Sequence, residues 1–281
     1  MKSILVPTDF SECAGFALNA AVRLARRFDA KVFLLHQLAL PTDWKNLIDA
    51  ERKKHPAALK KIARTEDGFT KIIDQYADVP FETIITDEKL APDIADYVDQ
   101  YSIDLIVMGS HGSGGKNAYF IGTNTQRVAR TVHCPLLVIK EPVPDINFDR
   151  VVFASSFNEN ELPAFQRFKD FVKPFIPEIH LVAIHTSSLF DPPYIVTKEA
   201  MDQFKAHCSP FACGTHVLKG LSIDQGIRSF AENIGAKLIG ISNHYRHPMK
   251  RILVGSNVEA LINHANTPVL CIDYPKQETK V

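Results

Sequence analysis

Residues Ile103 to Lys140 read IDLIVMGSHGSGGKNAYFIGTNTQRVARTVHCPLLVIK, and this stretch decides the fold. It opens with an apolar run that ends at Met108. The run is too short for a helix and lies between Asp104 and Gly109, so it reads as a buried strand. Glycines follow at Gly109, Gly112, Gly114 and Gly115, and a second turn comes at Gly122-Thr123. Val128 and Val132 then recur at helical spacing, and Pro135 introduces another apolar run, Leu136 to Ile139. Strand, glycine loop, helix, strand is half of a parallel α/β sheet.

The glycine spacing is G-x2-G-x9-G-[ST], from Gly109, Gly112 and Gly122-Thr123. A main chain without Cβ atoms can approach a ligand closely. Thr123 stands where a helix begins, and the free N–H groups there favour an anion such as phosphate. The bland alternative is that the glycines permit a tight left-handed turn and Thr123 is only a cap. Two other phosphate motifs fail. A P-loop needs a hydroxyl residue after the lysine, but Lys116 is followed by Asn117; a dinucleotide fingerprint starting at Gly112 would need glycine or alanine at Asn117.

At 281 residues the chain has room for about two domains. Charges balance at 32 of each sign, which argues against a nucleic-acid partner. No apolar run reaches the roughly 18 residues a membrane helix needs, so no membrane partner is expected. Five scattered cysteines (Cys13, Cys134, Cys208, Cys213, Cys271) and an opening strand with no leader before it lead us to expect reduced thiols and a cytoplasmic protein.

In chain order, Ser3 to Val6 is a strand, Ser11 caps a helix carrying Phe16, Ala17, Ala20, Ala21 and Leu24, and Lys31 to His36 is the second strand. A loop and a helix broken near His55-Pro56 come next. They are followed by a strand over Phe81 to Thr86 and a helix over Pro92 to Tyr101. After a proline-bearing linker (Glu141 to Asn147) the pattern restarts: RVVFA at Arg150 mirrors the first strand and IHLVAIH at Ile179 mirrors KVFLLH. Gly122 and Gly255 are 133 apart, as are Pro135 and Pro268. A constant offset marks an internal duplication.

ILVPTDFSE at the front, the glycine signature and the closing CPLLVIK together resemble the universal stress protein family. The resemblance implies two tandem domains, residues 1–141 with an intact ATP signature and 147–275 with a degenerate one. Each would be an open five-stranded parallel α/β sheet of order 3-2-1-4-5 flanked by helices. The fifth strands would pair edge to edge as an intramolecular pseudo-dimer, with a homodimer also open. In such a sheet a ligand sits where strand order reverses, between strands one and four. Those strands end at Pro7-Thr8-Asp9 and Met108-Gly109.

By resemblance, Gly109, His111 and Gly112 contact ribose and phosphates, and Gly122, Thr123, Asn124 and Thr125 the phosphate chain of ATP. Asp9 takes ribose hydroxyls or helps hold Mg²⁺, while His36 and Gln37 meet adenine. No residue is assigned as catalytic. Asp9 and His111 are the only candidate bases and no arginine finger is evident, so at most weak ATP hydrolysis is expected. In the second half Ala154, Ser155 and Ser156 replace Pro7, Thr8 and Asp9, and Ser242 and Tyr245 replace Gly109 and Gly112. That half is not expected to bind ATP in the family's manner. Two other roles for it are weighed: zinc binding through His207, Cys208, Cys213 and His216, with His244 and His247 further on, and another ligand near Ser155, Ser156, Phe157 and Tyr245. For zinc the ligand spacing is poorer than in paired structural sites.

Overall fold

Short runs of β-branched and aliphatic residues in this chain are buried on both sides, as strands of a parallel sheet must be. The computed structural model describes residues 1–41, 44–87, 90–110, 122–186, 191–243 and 257–273. Its first half runs β1 (Ser3–Pro7), α1 (Glu12–Phe28), β2 (Lys31–Gln37), α2 (Asp49–Arg52), α3 (Pro56–Gln75), β3 (Phe81–Thr86), α4 (Leu90–Gln100), β4 (Leu105–Gly109), α5 (Thr123–Thr131) and β5 (Leu136–Ile139). The second half runs β6 (Arg150–Ala154), α6 (Leu162–Val172), β7 (Glu178–His185), α7 (Tyr194–Ala206), β8 (Cys213–Lys219), α8 (Ile223–Ile234), β9 (Leu238–Asn243), α9 (Asn257–His264) and β10 (Val269–Asp273).

The strand order is β3-β2-β1-β4-β5-β10-β9-β6-β7-β8. Each half therefore has the expected order 3-2-1-4-5, and every pairing within a half is parallel. The fifth strands meet antiparallel, with Leu137 opposite Leu270. The two sheets are thus one ten-stranded sheet, in which each copy covers the other's open edge.

Side chains alternate across the strands, so the sheet has two cores. Ile4, Leu24, Phe69, Phe165, Phe168 and Phe204 belong to one, on the side of α1, α3, α6 and α7. Leu5, Ile94, Val128, Ala231 and Leu261 belong to the other, under α4, α5, α8 and α9. Both cores draw residues from both halves. Among the described residues no helix is long and apolar enough to cross a membrane.

Local sequence sets the strand-to-helix turns that carry the site. Ser11 accepts a hydrogen bond from the Ala14 amide at 3.2 Å and caps α1, whose last turn carries Arg26 and Arg27 before Asp29 closes it in a left-handed conformation. The expected break at His55-Pro56 is present, with Pro56 opening α3.

One expectation fails. Cys208 and Cys213 are joined as a disulfide with their Cα atoms 6.2 Å apart, rather than both being reduced. Cys208 closes the turn after α7 and Cys213 opens β8, five positions on in sequence, so a short loop brings them together. Cys13, Cys134 and Cys271 are free and buried.

Candidate functional site

At the carboxyl end of the first half, two main-chain turns converge. The Gly122 amide donates to the Ser110 carbonyl at 2.7 Å, and the Thr125 hydroxyl donates to the Gly109 carbonyl at 2.8 Å. The end of β4 and the start of α5 are therefore tied directly together. Gly122 is the N-cap of α5 with φ −61° and ψ 141°, values open to any residue. The left-handed-turn explanation thus does not apply to Gly122. Gly122 has no side chain with which to cap α5, and no acidic residue lies in the first turn of the helix. Its terminus keeps an electropositive character.

Gly109 has a packing reason of its own. A Cβ there would lie 2.9 Å from both the carbonyl oxygen and the Sγ of Cys13, in the first turn of α1. Thr125 is buried, and its hydroxyl holds the two turns together. Asn124 is exposed at the first turn of α5. His111 and Gly112 lie outside the described residues.

Across the strand-order reversal, Pro7 ends β1 opposite Leu35 of β2. The Thr8 amide donates to the Leu35 carbonyl at 2.8 Å, and Thr8 Oγ1 accepts from the Phe10 amide at 3.0 Å. The His36 ring nitrogen Nδ1 lies 2.7 Å from the Thr8 carbonyl. Asp9 accepts from the Ser11 amide at 3.0 Å yet stays exposed, so Ser11, not Asp9, caps the helix. Phe10 takes a left-handed φ of 59° and packs on His36 and Phe69. Gln37 closes β2, and Met108 is buried beside Val138.

The first half of the chain therefore presents an exposed carboxylate, two joined main-chain turns and a helix that starts at a glycine N-cap at one end of the sheet. The sequence of the chain matches the Universal stress protein family twice, over residues 1–140 and 147–273. The chain belongs to that family. Among relatives, it is 29% identical over 149 residues to universal stress protein MJ0531 of Methanocaldococcus jannaschii, which covers 50% of this chain and 83% of that protein. Two solved structures match almost end to end. A universal stress protein of Archaeoglobus fulgidus superposes with a TM-score of 0.69 at 20% identity, covering 96% of this chain and 98% of its own. A functionally unknown Pseudomonas aeruginosa protein, PA1789, gives 0.67 at 19% identity, covering 98% and 93%. These two show the tandem fold.

The equivalent end of the second half is built differently, around a residue the sequence reading passed over. Glu161 is 1% exposed, and the hydroxyls of Ser155, Ser156 and Ser242 donate to its carboxylate at 2.5, 3.0 and 2.8 Å. The signal lay in three serines standing where the first half has Thr8, Asp9 and Gly109. The suggested ligand pocket at Ser155 and Ser156 is thus occupied by the chain's own carboxylate. Tyr245 lies outside the described residues.

The zinc set does not assemble either. Cys213 and His216 are three residues apart on β8 and so face opposite sides of the sheet, while Cys208 is bonded to Cys213. Among the described residues no group of three or more His, Cys, Asp or Glu could hold a metal. His244 and His247 lie outside them. His216 instead meets His180, Nε2 to Nδ1 at 3.1 Å, beneath Phe230 of α8. His180 Nε2 faces Glu178 Oε1 at 3.4 Å, off-line for a hydrogen bond. Burial lowers the pKa of both imidazoles; Glu178 opposes this, while Arg150 adds to it at His180 and His180 adds to it at His216.

Proposed function

We propose that this protein is a regulatory universal stress protein that binds ATP with Mg²⁺ in its N-terminal half, residues 1–141, with the C-terminal half, 147–275, as a structural or sensory partner. The observation that carries this reading is the junction of the Gly109-Ser110 turn with Gly122, the glycine N-cap of α5, beside the strand-order reversal. Gly122, Thr123 and Asn124 would offer main-chain N–H groups to the phosphates, with His111 and Gly112 completing that loop. Thr125 would act by holding the two turns, and Gly109 by keeping them close to α1. Asp9 would supply the carboxylate for Mg²⁺ or ribose hydroxyls. Pro7, Thr8, Gln37 and Met108 would line the base and ribose side. The Mg²⁺ would neutralise the triphosphate charge that Asp9 would otherwise repel. Asp9 and His111 would be the candidate bases and no arginine finger is evident, so binding would be the main function, with at most weak ATP hydrolysis.

Thermal unfolding with ATP–Mg²⁺ tests the reading. Saturation at about a hundred times the dissociation constant adds roughly 2.7 kcal/mol. Gly122→Val and Asp9→Ala are expected to remove most of the shift, and calorimetry is expected to give one nucleotide per chain. An unchanged melting temperature in the parent, or two equivalent sites, contradicts the proposal.

A further inference from the structure

The duplication places two local structures side by side for comparison. Thr8-Asp9-Phe10 and Ser155-Ser156-Phe157 fold alike: Phe10 and Phe157 have φ of 59° and 58°, and their amides donate to Thr8 Oγ1 at 3.0 Å and to Ser155 Oγ at 2.8 Å. The turn is preserved while its chemistry changes. With an offset of 147, Thr8 corresponds to Ser155 and Asp9 to Ser156. With an offset of 133, Gly109 corresponds to Ser242. The exposed carboxylate of Asp9 is thus gone, and a hydroxyl replaces the bare Gly109.

All three serines turn their hydroxyls onto one carboxylate. Ser155 Oγ and Ser156 Oγ donate to Glu161 Oε2 at 2.5 and 3.0 Å, Ser242 Oγ donates to Glu161 Oε1 at 2.8 Å, and the Asn158 amide donates to Oε2 at 3.0 Å. The donors come from the end of β6, the turn after it and the end of β9, so they surround the anion from both strands of the reversal. With the 147 offset, the residue matching Glu161 is Ala14, in the first turn of α1. The carboxylate is an addition peculiar to the second copy.

We infer that the C-terminal crevice is an oxyanion site whose ligand is carried in cis: Glu161 fills a hydroxyl-lined anion hole at the switch point. Directed donors are what make a buried carboxylate tolerable. A donor set assembled from two strands and a turn holds those elements together in the same way a bound anion would. The C-terminal half is therefore locked in a loaded state that no external nucleotide sets or releases. A second anion at these donors would meet the like charge of Glu161. This inference does not depend on what the N-terminal half binds.

The experiment removes the internal anion and offers one back. Glu161→Ala in the full chain is expected to lower the melting temperature by several degrees, and acetate, compared with chloride at equal ionic strength, is expected to recover part of the loss. The parent should not respond to acetate beyond chloride. Glu161→Ala combined with Ser242→Ala should lose the acetate response. Glu161→Gln fills the same volume but removes the charge, turning charge-assisted hydrogen bonds into weaker neutral ones and requiring the Ser242 hydroxyl to accept from the amide N–H₂. It should be destabilised and acetate-insensitive, and it serves if the alanine variant does not fold. A Glu161→Gln protein as stable as the parent, or a folded Glu161→Ala protein blind to acetate, overturns the inference.

Discussion

At the residue scale, Gly109 and Gly122 have different reasons to be glycine, though both belong to one motif. A Cβ at Gly109 would sit 2.9 Å from the Cys13 carbonyl oxygen, which is backbone and cannot swing away. Gly109→Ala is therefore expected to destabilise the ligand-free protein by about 1–3 kcal/mol, the usual range for overpacking. Urea unfolding without nucleotide checks this, and a ligand-free Gly109→Ala protein as stable as the parent contradicts it. Gly122 lies in ordinary backbone space at φ −61°, so its substitution tests ligand access with no penalty from φ. Spacing showed that the two glycines matter together, but it could not separate these reasons. One depends on where α1 packs, a fact of tertiary structure. Thr125 was similarly legible as part of the motif, while its bond to the Gly109 carbonyl depends on how α5 is set against β4.

At the element scale, apolar runs and glycine turns located the strands, because parallel strands buried on both faces leave a continuous apolar signature. But α7 (Tyr194–Ala206), with only Thr197, Met201 and Phe204 buried, was not read from the sequence. What the sequence concealed were pairings across elements. His180 lies on β7 and His216 on β8, and neither spacing nor neighbours announce their contact at 3.1 Å. The register does: His180 stands opposite Gly214, two residues before His216 and on the same face. Around the pair lie Phe230 of α8, Glu178 of β7 and, beyond Glu178, Arg150 of β6. Burial lowers both imidazole pKa values below the ordinary 6.5, so the unfolded chain binds protons first as pH falls. Stability from this pair is fully present above pH 6.5 and is lost as the pH drops from there toward the lowered folded values. We predict that the parent loses stability as the pH falls below about 6.5, and that His216→Gln flattens this slope. Denaturant unfolding across that range measures it; equal slopes in the two proteins would exclude the pair as the cause.

At the scale of the whole molecule, the sheet passes without a break through β5 and β10, and a second connection runs above it. Glu259 of α9 accepts from Arg130 Nε and Nη2, each at 2.6 Å, and from Gln126 Nε2 at 2.6 Å, both on α5. Gln126 and Glu259 are 133 apart, the same offset as Gly122 and Gly255, so they are equivalent positions facing each other across the pseudo-twofold. A strictly repeated sequence would set like against like there. The duplication has diverged so that one copy supplies the anion and the other the donors, which makes this contact specific to the tandem arrangement. The carboxylate is 9% exposed and Arg130 42%, so solvent weakens the pair from its cationic side. Glu259→Ala is expected to cost about 1–2 kcal/mol after that discount. Because each core draws on both halves, the parent is expected to unfold in one transition. Trp44, the only tryptophan and buried in the first half, reports on that half alone, while far-ultraviolet circular dichroism reports on both. The two signals should coincide in the parent, and they should move together to a lower midpoint in Glu259→Ala if β5 and β10 still couple the halves. Separate midpoints in the parent would mean that the continuous sheet does not make the two copies one cooperative unit, whatever either copy binds.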